Sequence, residues 1–392
     1  MRSECTVVDL FYRVKTVAWV NGLFFVFILS MFLLDDKLYA RFFYIFLTVP
    51  GFFVMGRYFL KERFGKEFIF MCSAVLLYYA ASALWGEIDQ LYYTVRNSTL
   101  VFLLMVLSLL FTQDVKLSFF KDIVFAFVVL FSMFLLGMFW YGHELGQLLD
   151  ARHSLSKFIK ISENNPIDSG VILGVVFIFF LDRVRSISVR YIPFLFLLSL
   201  GILLLLVLTK SRGPQLFLCV TAALYMLIAR DKRTVVFIIA LCVSAIIATY
   251  VMDFQPYLFN RIGTKDYRFE IWGQTLLLIK SSWLFGTGAV DNPAIVVSSG
   301  SFTVTHAHSF LIDALRIGGL VGFSGLLTLI IYVLLNGSYS KDYHFLIFWL
   351  LFGSLCLLAN GRSPIMQPNV EWFAFWTPLF LWFFYSLREV ER

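Results

Sequence analysis

Long apolar runs separated by short polar segments dominate the pattern of the chain. Runs such as 17–34, 68–85 and 192–208 approach or reach the ~20 apolar residues that a helix needs to cross a bilayer. The runs are continuous and do not alternate between apolar and polar residues, which excludes a transmembrane β-barrel. The pattern therefore predicts an all-α polytopic membrane protein.

The apolar runs predict about twelve membrane spans. They are 17–34, 39–56, 68–85, 97–113, 119–140, 168–182, 190–208, 213–229, 234–251, 308–335, 343–359 and 371–387. The first run is longer than the apolar core of a secretory signal and lacks an A-x-A-like exit, so we expect it to stay in the protein. We expect one membrane domain, 1–392, with two longer external loops at 141–167 and 252–305.

Composition and charge support this class. Hydrophobic residues make up 60% of the chain and the mean hydropathy is +0.83, well above soluble domains, which are about half apolar. The basic residues behind the net charge of +7 fall mostly in alternate loops, which predicts cytoplasmic termini. The membrane topology thus accounts for the positive net charge, so the charge does not indicate binding to nucleic acid. Membrane lipids are the expected partners.

The 252–305 loop is too long to be a simple connector, because most connections have about 4–6 residues. Asp266 can cap a helix that carries Arg268 and Trp272, four positions apart, on one face. The apolar run 276–279 suits a helix lying against the membrane. The loop is therefore predicted to form an amphipathic lid over an opening in the bundle.

Basic and imidazole groups recur where spans end on the predicted external side. The four segments are Lys210-Ser-Arg212-Gly, Arg268 with Trp272, His306-Ala-His308-Ser309 and Gly361-Arg362-Ser363. A single arginine at a boundary is usually a snorkelling anchor. Several together on a face expected to be poor in basic residues indicate a binding or catalytic site.

The histidine segment opens span ten, which we expect to run as one helix through Gly319 to Leu335. The positive end of the helix dipole disfavours protonation of His308, and a neutral imidazole can act as a general base. On the same helical stripe, Ser309 precedes Asp313 and Arg316. These last two are either a structural pair that spares both charges the cost of facing lipid, or part of the site.

Arg212 is predicted at an outer helix N-terminus, beside free backbone N–H groups that bind phosphate well.

A metal centre is not expected. His306 and His308 lack an evident third ligand, external carboxylates do not cluster, and none of the five cysteines has metal-ligand spacing. No cofactor is predicted.

The order of these motifs resembles the O-antigen ligase family. Thr209-Lys-Ser-Arg212-Gly is followed by Arg268 and Trp272 in a large external loop, then by His306-Ala-His308-Ser309 and Gly318-Gly319-Leu-Val-Gly322. The layout of the whole chain is similar, whereas the motif match lies within 200–365. Family members usually have asparagine where this chain has Ser309, and often glutamate where it has Asp313.

The resemblance implies a GT-C-like membrane glycosyltransferase in a Gram-negative inner membrane. Its donor would be an O-antigen glycan on undecaprenyl diphosphate, and its acceptor a sugar hydroxyl of lipid A-core at the periplasmic face. The reaction would be inverting and metal-independent. The implied roles are His308 as base with His306 in support; Arg212, Arg268, Lys210 and Arg362 on the diphosphate; and Trp272, Ser309, Asp313 and Arg316 as supporting residues.

Two sets of alternatives remain open. An O-antigen polymerase or a protein O-oligosaccharyltransferase of the same superfamily would use similar arginines with a different acceptor. A polysaccharide-lipid transporter or flippase belongs to another class. Transporters typically have ionisable residues near mid-membrane and two similar halves, whereas the candidates here gather at one face.

Overall fold

The computed structural model describes residues 7–58, 65–142, 154–157, 165–251, 267–290, 295–297 and 302–390, and this part is mainly helical, which confirms the all-α membrane fold. In chain order the helices are α1 (Val7–Ser30), α2 (Asp36–Phe42), α3 (Thr48–Tyr58), α4 (Lys66–Ala81), α5 (Leu91–Asp114), α6 (Leu117–Gly142), α7 (Pro166–Val184), α8 (Ile192–Leu208), α9 (Arg212–Ala229), α10 (Lys232–Val251), α11 (Arg268–Ile279), α12 (Phe310–Asn336), α13 (His344–Asn360) and α14 (Thr377–Val390). The two strands are β1 (Ile295–Val297) and β2 (Phe302–Val304). π-Helical turns, Phe43–Leu47 and Trp372–Trp376, join α2 to α3 and lead into α14.

Eight helical segments in the described ranges are long and apolar enough to cross a membrane. They are Asp36–Met55, Lys66–Leu84, Ile88–Asp114, Leu117–Tyr141, Val189–Leu208, Arg212–Ala229, Phe310–Asn336 and Lys341–Asn360. Each of the twelve predicted runs overlaps a helix, but the count of twelve spans is not confirmed. One reason is α7, which carries Asp168, Asp182 and Arg183 among its nineteen residues.

Polar residues fix where several helices begin. The Asp35 carboxylate accepts the Leu38 amide at 2.7 Å at the start of α2. The Asn165 side chain accepts the Ile167 amide at 3.0 Å, with Pro166 at the first turn of α7. Both arrangements satisfy backbone donors that a helix start leaves unpaired.

The last helix occupies the centre of the bundle. From Trp372 to Ser386 every side chain is buried, including Trp376 and Trp382. A helix that is apolar on all sides belongs in the interior rather than at a surface. The predicted span 371–387 is therefore an inner helix on which the others pack.

One end of the bundle gathers charges from the basic loops. Lys121 pairs with Asp182 at 2.6 Å and donates to the Asp342 carbonyl at 3.4 Å. Arg183 pairs with Asp122, and Arg388 donates to the Thr112 carbonyl. The basic loops that the sequence assigned to one side thus meet at one end. The other end carries His306 and His308, and we call it the histidine end.

Helix α12 is broken, contrary to the expectation of a helix continuous through Gly319. Gly319 adopts φ 58° and ψ −162°, a conformation that is essentially restricted to glycine. A Cβ there would lie 2.3 Å from the Gly286 amide nitrogen. The first part of α12, ahead of the break, carries Asp313 and Arg316.

Backbone from the segment 283–288 fills the break. Thr287 N donates to Arg316 O at 2.7 Å, and Gly288 N donates to Ile317 O at 3.1 Å. The Tyr78 hydroxyl donates to Gly318 O at 2.7 Å. The carbonyls freed by the break are therefore paired, which a helix in a membrane protein requires.

Helix α11 and the β1–β2 hairpin form a small layer over the histidine end. Ile271 packs with Ile295 and Val297, and β1 pairs antiparallel with β2. The opposite face of α11 exposes Leu276 and Leu277. The predicted Asp266 cap lies outside the described residues, as does most of 141–167.

Candidate functional site

Two histidines lie side by side at the entrance to α12. The ring centroids of His306 and His308 are 4.0 Å apart, and both side chains are half-buried. Helix α12 begins at Phe310 with Ser309 at the cap position, so His308 precedes the helix instead of opening it. Its φ of 51° is a left-handed conformation that costs a non-glycine residue roughly 1–3 kcal/mol. The chain therefore holds this imidazole in a strained position.

A row of polar side chains lies beside His308. The Asn360 side chain, at the end of α13, lies close enough to the imidazole to influence the pKa of His308. Asn360 Nδ2 donates to Asp168 Oδ1 at 3.4 Å, and Asn165 Nδ2 donates to Asp168 Oδ2 at 2.9 Å. The end of α13 and the start of α7 thus meet beside this imidazole.

Both imidazoles are held neutral. Burial, with the nearby Arg268 guanidinium, holds the pKa of His308 below its ordinary value of 6.5. Burial, with His308 and Arg362, lowers the pKa of His306 to about 3. The physical cause is the same in both cases, because desolvation and neighbouring positive charge each disfavour the imidazolium. A neutral imidazole can accept a proton at physiological pH.

Asp313 and Arg316 form a buried pair on the first part of α12. Arg316 Nε donates to Asp313 Oδ1 at 2.7 Å, and the other carboxylate oxygen accepts the Ala307 amide at 3.1 Å. Asp313 thereby fixes the residue between the two histidines. Arg316 is 4% exposed, and its Nη1 has no hydrogen-bond partner among the described residues.

Arg268 and Trp272 have different surroundings although they share α11. Arg268 is half-buried at the helix start, close enough to lower the pKa of His308. Trp272 packs against the Ile271, Ile295 and Val297 cluster, with its ring 5.4 Å from that of Phe269. The structure therefore links Arg268 to the histidines, while Trp272 helps to seat α11 on the hairpin.

Arg362 reaches the same region from the loop after α13. Its side chain is 38% exposed, with Nε 3.9 Å from Glu371 Oε1, and its amide donates to the same oxygen at 3.2 Å. The preceding Gly361 abuts Phe310, since a Cβ would lie 2.7 Å from the Phe310 Cβ. This close approach brings Arg362 beside the start of α12.

Arg212 and Lys210 stand farther along the same end. Arg212 is exposed at the first position of α9, and Ser211 donates its hydroxyl to the Thr209 carbonyl instead of capping the helix. Lys210 has a left-handed φ of 49°. Pro214 packs on Gly170 of α7, which puts the start of α9 beside the helix that carries Asp168. In the described ranges no hydrogen bond or ion pair joins Arg212 to the histidines.

A cavity of about 360 Å³ opens between the histidine end of α12 and the start of α5. Its lining includes the predicted residues His306, Asp313, Arg316 and Arg362. Over the residues that the structure describes, no group of three or more His, Cys, Asp or Glu side chains is arranged to hold a metal ion.

Sequence reasoning missed Asn360, Asp168 and the α5 side of the cavity. Asp168 carried a usable signal, because a carboxylate inside an apolar helix is rare without a partner. Asn360 carried none, since an amide at a helix end is ordinary. Only the fold brings the end of α13 to His308.

The fold and this end of the bundle define a class: an α-helical polytopic membrane protein with neutral histidines and arginines gathered at one end. Comparison with known proteins adds a similarity to one family. Residues 194–327 match the family model described as O-Antigen ligase, which confirms the resemblance to the O-antigen ligase superfamily. The matched segment contains Arg212, Arg268 and His308. No curated protein matches the chain.

Proposed function

We propose that the chain is an O-antigen ligase. It transfers a glycan from undecaprenyl diphosphate to a sugar hydroxyl of lipid A-core, at the periplasmic face of a Gram-negative inner membrane. The observation that carries the proposal is His308, a neutral imidazole that lies beside Asn360 and close to Arg268 and Arg362. A base beside cations is what attack on a diphosphate-activated sugar requires.

The reaction is a single displacement. The acceptor hydroxyl attacks the anomeric carbon while its proton passes to His308. The bond between that carbon and the diphosphate oxygen breaks on the opposite face, and the electron pair leaves with the diphosphate. One displacement inverts the anomeric centre.

Arg268 and Arg212 stabilise the departing diphosphate. Guanidinium groups offer forked donors that match phosphate oxygens, and the start of α9 adds backbone N–H groups. Lys210 and Arg362 add positive charge at the rim. These cations supply the charge neutralisation that a divalent ion supplies in other diphosphate-sugar enzymes, so we propose a metal-independent reaction.

The test is transfer by purified protein in lipid nanodiscs, with lipid-linked glycan as donor and lipid A-core as acceptor. We expect a core-linked product with inverted linkage, unchanged by EDTA and lost in His308→Ala. Product that requires magnesium or manganese would contradict the metal-free reaction. A donor-linked polymer in place of a core-linked product would identify a polymerase.

A deletion strain gives an independent readout. Loss of all polymer from the core, with lipid-linked polymer accumulating, supports a ligase. A remnant with a single repeat on the core supports a polymerase. A strain that keeps lipid-linked polymer on the cytoplasmic side supports a flippase instead.

A further inference from the structure

We infer that the cavity beside His306 is a subsite for one neutral sugar ring of a substrate. The inference rests on the proposed glycosyl transfer and deepens it, because it names what the cavity binds. At about 360 Å³ the cavity falls within the ~300–1,000 Å³ typical of small-molecule sites. Helices α5 and α12 and the loop after α13 enclose it.

Arg316 supplies the first evidence for a ligand. Arg316 lines the cavity and is 4% exposed, and its Nε is committed to Asp313. Nη1 has no hydrogen-bond partner among the described residues. Buried charged donors are normally paired, so this nitrogen is matched to an acceptor that enters the cavity.

The other lining groups are those that bind hydroxyls. Gln90, just before α5, and Asn97, within it, bring side-chain amides to the lining. The Asn97 oxygen accepts from the Arg96 guanidinium at 3.2 Å, so its NH₂ group is the donor that it offers a ligand. Tyr93, also in the lining, is an exposed aromatic ring whose centroid lies 5.1 Å from the Arg96 guanidinium carbon. Planar amides beside an aromatic ring suit the alternating hydroxyl and C–H surfaces of a sugar.

The charges favour a neutral ligand over the diphosphate. The charge of Arg316, the buried cation of the cavity, is matched by Asp313, whereas Arg362 stands at the rim with its side chain 38% exposed. A diphosphate inside the cavity would bring at least two negative charges beside the Asp313 carboxylate. Arg268 lowers the pKa of His308 and is not among the residues that line the cavity, so it is the cation we assign to the diphosphate.

The cavity lies next to His308, the proposed base. His306 lines the cavity, and its ring centroid is 4.0 Å from that of His308. Only the imidazole of His306 would then separate a sugar in the cavity from His308, the proposed base. Either the acceptor sugar or the first sugar of the donor has this chemistry, and the experiment separates the two.

Two variants remove single donors from the cavity while keeping the fold. Gln90→Met removes the amide at similar length, and Arg316→Lys keeps a positive charge for Asp313 while deleting the Nη1 donor. Gln113→Met, at the far end of α5, is the control for the first. Arg185→Lys is the control for the second, because Arg185 also pairs at three residues' spacing, with Asp182.

The first measurement is transfer kinetics in nanodiscs with each substrate varied in turn. We expect Gln90→Met and Arg316→Lys to raise one KM about tenfold with kcat less affected, the size expected for one lost hydrogen bond to a charged or fixed group. A raised acceptor KM assigns the acceptor sugar, and a raised donor KM the donor sugar. Unchanged KM values for both substrates, with controls at the wild-type level, would overturn the subsite.

The second measurement does not depend on transfer. Saturation-transfer NMR with delipidated core oligosaccharide and with free donor glycan should detect sugar binding to the wild type. We expect binding to weaken in both variants, to persist in both controls, and to survive excess inorganic pyrophosphate. Sugar binding without transfer would keep the subsite and reject the ligase. Displacement by pyrophosphate would reject the neutral-sugar assignment.

Discussion

Asn360 donates its side-chain N–H to the buried carboxylate of Asp168 across 3.4 Å, and its side chain is close enough to His308 to influence the pKa of the imidazole. Because the amide nitrogen is committed to Asp168, the amide oxygen is the atom left to accept a hydrogen bond from the imidazole. An imidazole whose N–H is held on one side presents its other nitrogen as the proton acceptor. We therefore expect the Asn360–Asp168 pair to favour one tautomer of His308.

Replacing Asn360 by leucine should lower kcat by about 10–100-fold, part of the 10²–10⁴ that a positioned base contributes. The imidazole would remain but would lose its orientation, so KM for either substrate should change little. Steady-state transfer in nanodiscs measures both constants. Asn336→Leu, at the exposed end of α12, is the control and should behave as wild type. A rise in KM with unchanged kcat would contradict a positioning role.

Arg268→Gln should move the acidic limb of the pH–rate profile to higher pH. The Arg268 charge lowers the pKa of His308, so removing it raises that pKa toward 6.5. The base works only when neutral, and a higher pKa means protonation, and loss of rate, at a higher pH. The kcat/KM of transfer between pH 4.5 and 8 measures the limb.

Arg268→Lys is the matched control because it keeps the charge while losing the forked donors. The acidic limb of Arg268→Lys should stay near the wild-type position even if its rate falls, since the proposed contact with the diphosphate would be weakened. A limb that shifts equally in both variants would show that charge at this position does not set the pKa of His308.

The helices were predictable because a bilayer leaves a buried backbone no hydrogen-bond partner except itself, so each apolar run forms a helix. The break at Gly319 was not, because it depends on backbone from 283–288 that lies against it only in the folded chain. The histidine motif, Arg268 and Arg362 come together at one end of the bundle, and their roles there stay predictions. The roles we propose depend on Asn360 and Arg316, whose contacts come from three-dimensional packing and could not be predicted from the sequence.

Removing one partner of the Asp313–Arg316 pair should lower the free energy of unfolding much more than replacing both partners by apolar residues. Arg316→Met leaves a buried carboxylate without its cation and should destabilise the protein by about 3–5 kcal/mol. The double variant Asp313→Leu with Arg316→Met should recover most of that loss, because no buried charge remains. Thermal unfolding in nanodiscs at pH 7.5 compares them. Equal destabilisation of the single and double variants would contradict this account.

Gly319→Ala should destabilise the histidine end. The φ and ψ of Gly319 exclude a side chain, and the added Cβ would meet backbone atoms of Gly286 and Leu284. The expected cost is at least about 1–3 kcal/mol. Gly137→Ala, where a Cβ meets nothing within 4 Å, is the control and should be neutral or stabilising. Hydrogen exchange should locate the loss of protection at 283–288.

His306 should make the protein less stable as pH falls. Its pKa is about 3 in the folded protein and near 6.5 when unfolded, so the unfolded chain binds an extra proton between these values. The stabilisation is therefore complete above pH 6.5 and declines progressively from there toward pH 3. His306→Gln cannot titrate, so its Tm should fall less than that of the wild type between pH 7.5 and 5. Parallel Tm curves for the two proteins would show that the imidazole is not held neutral by the fold.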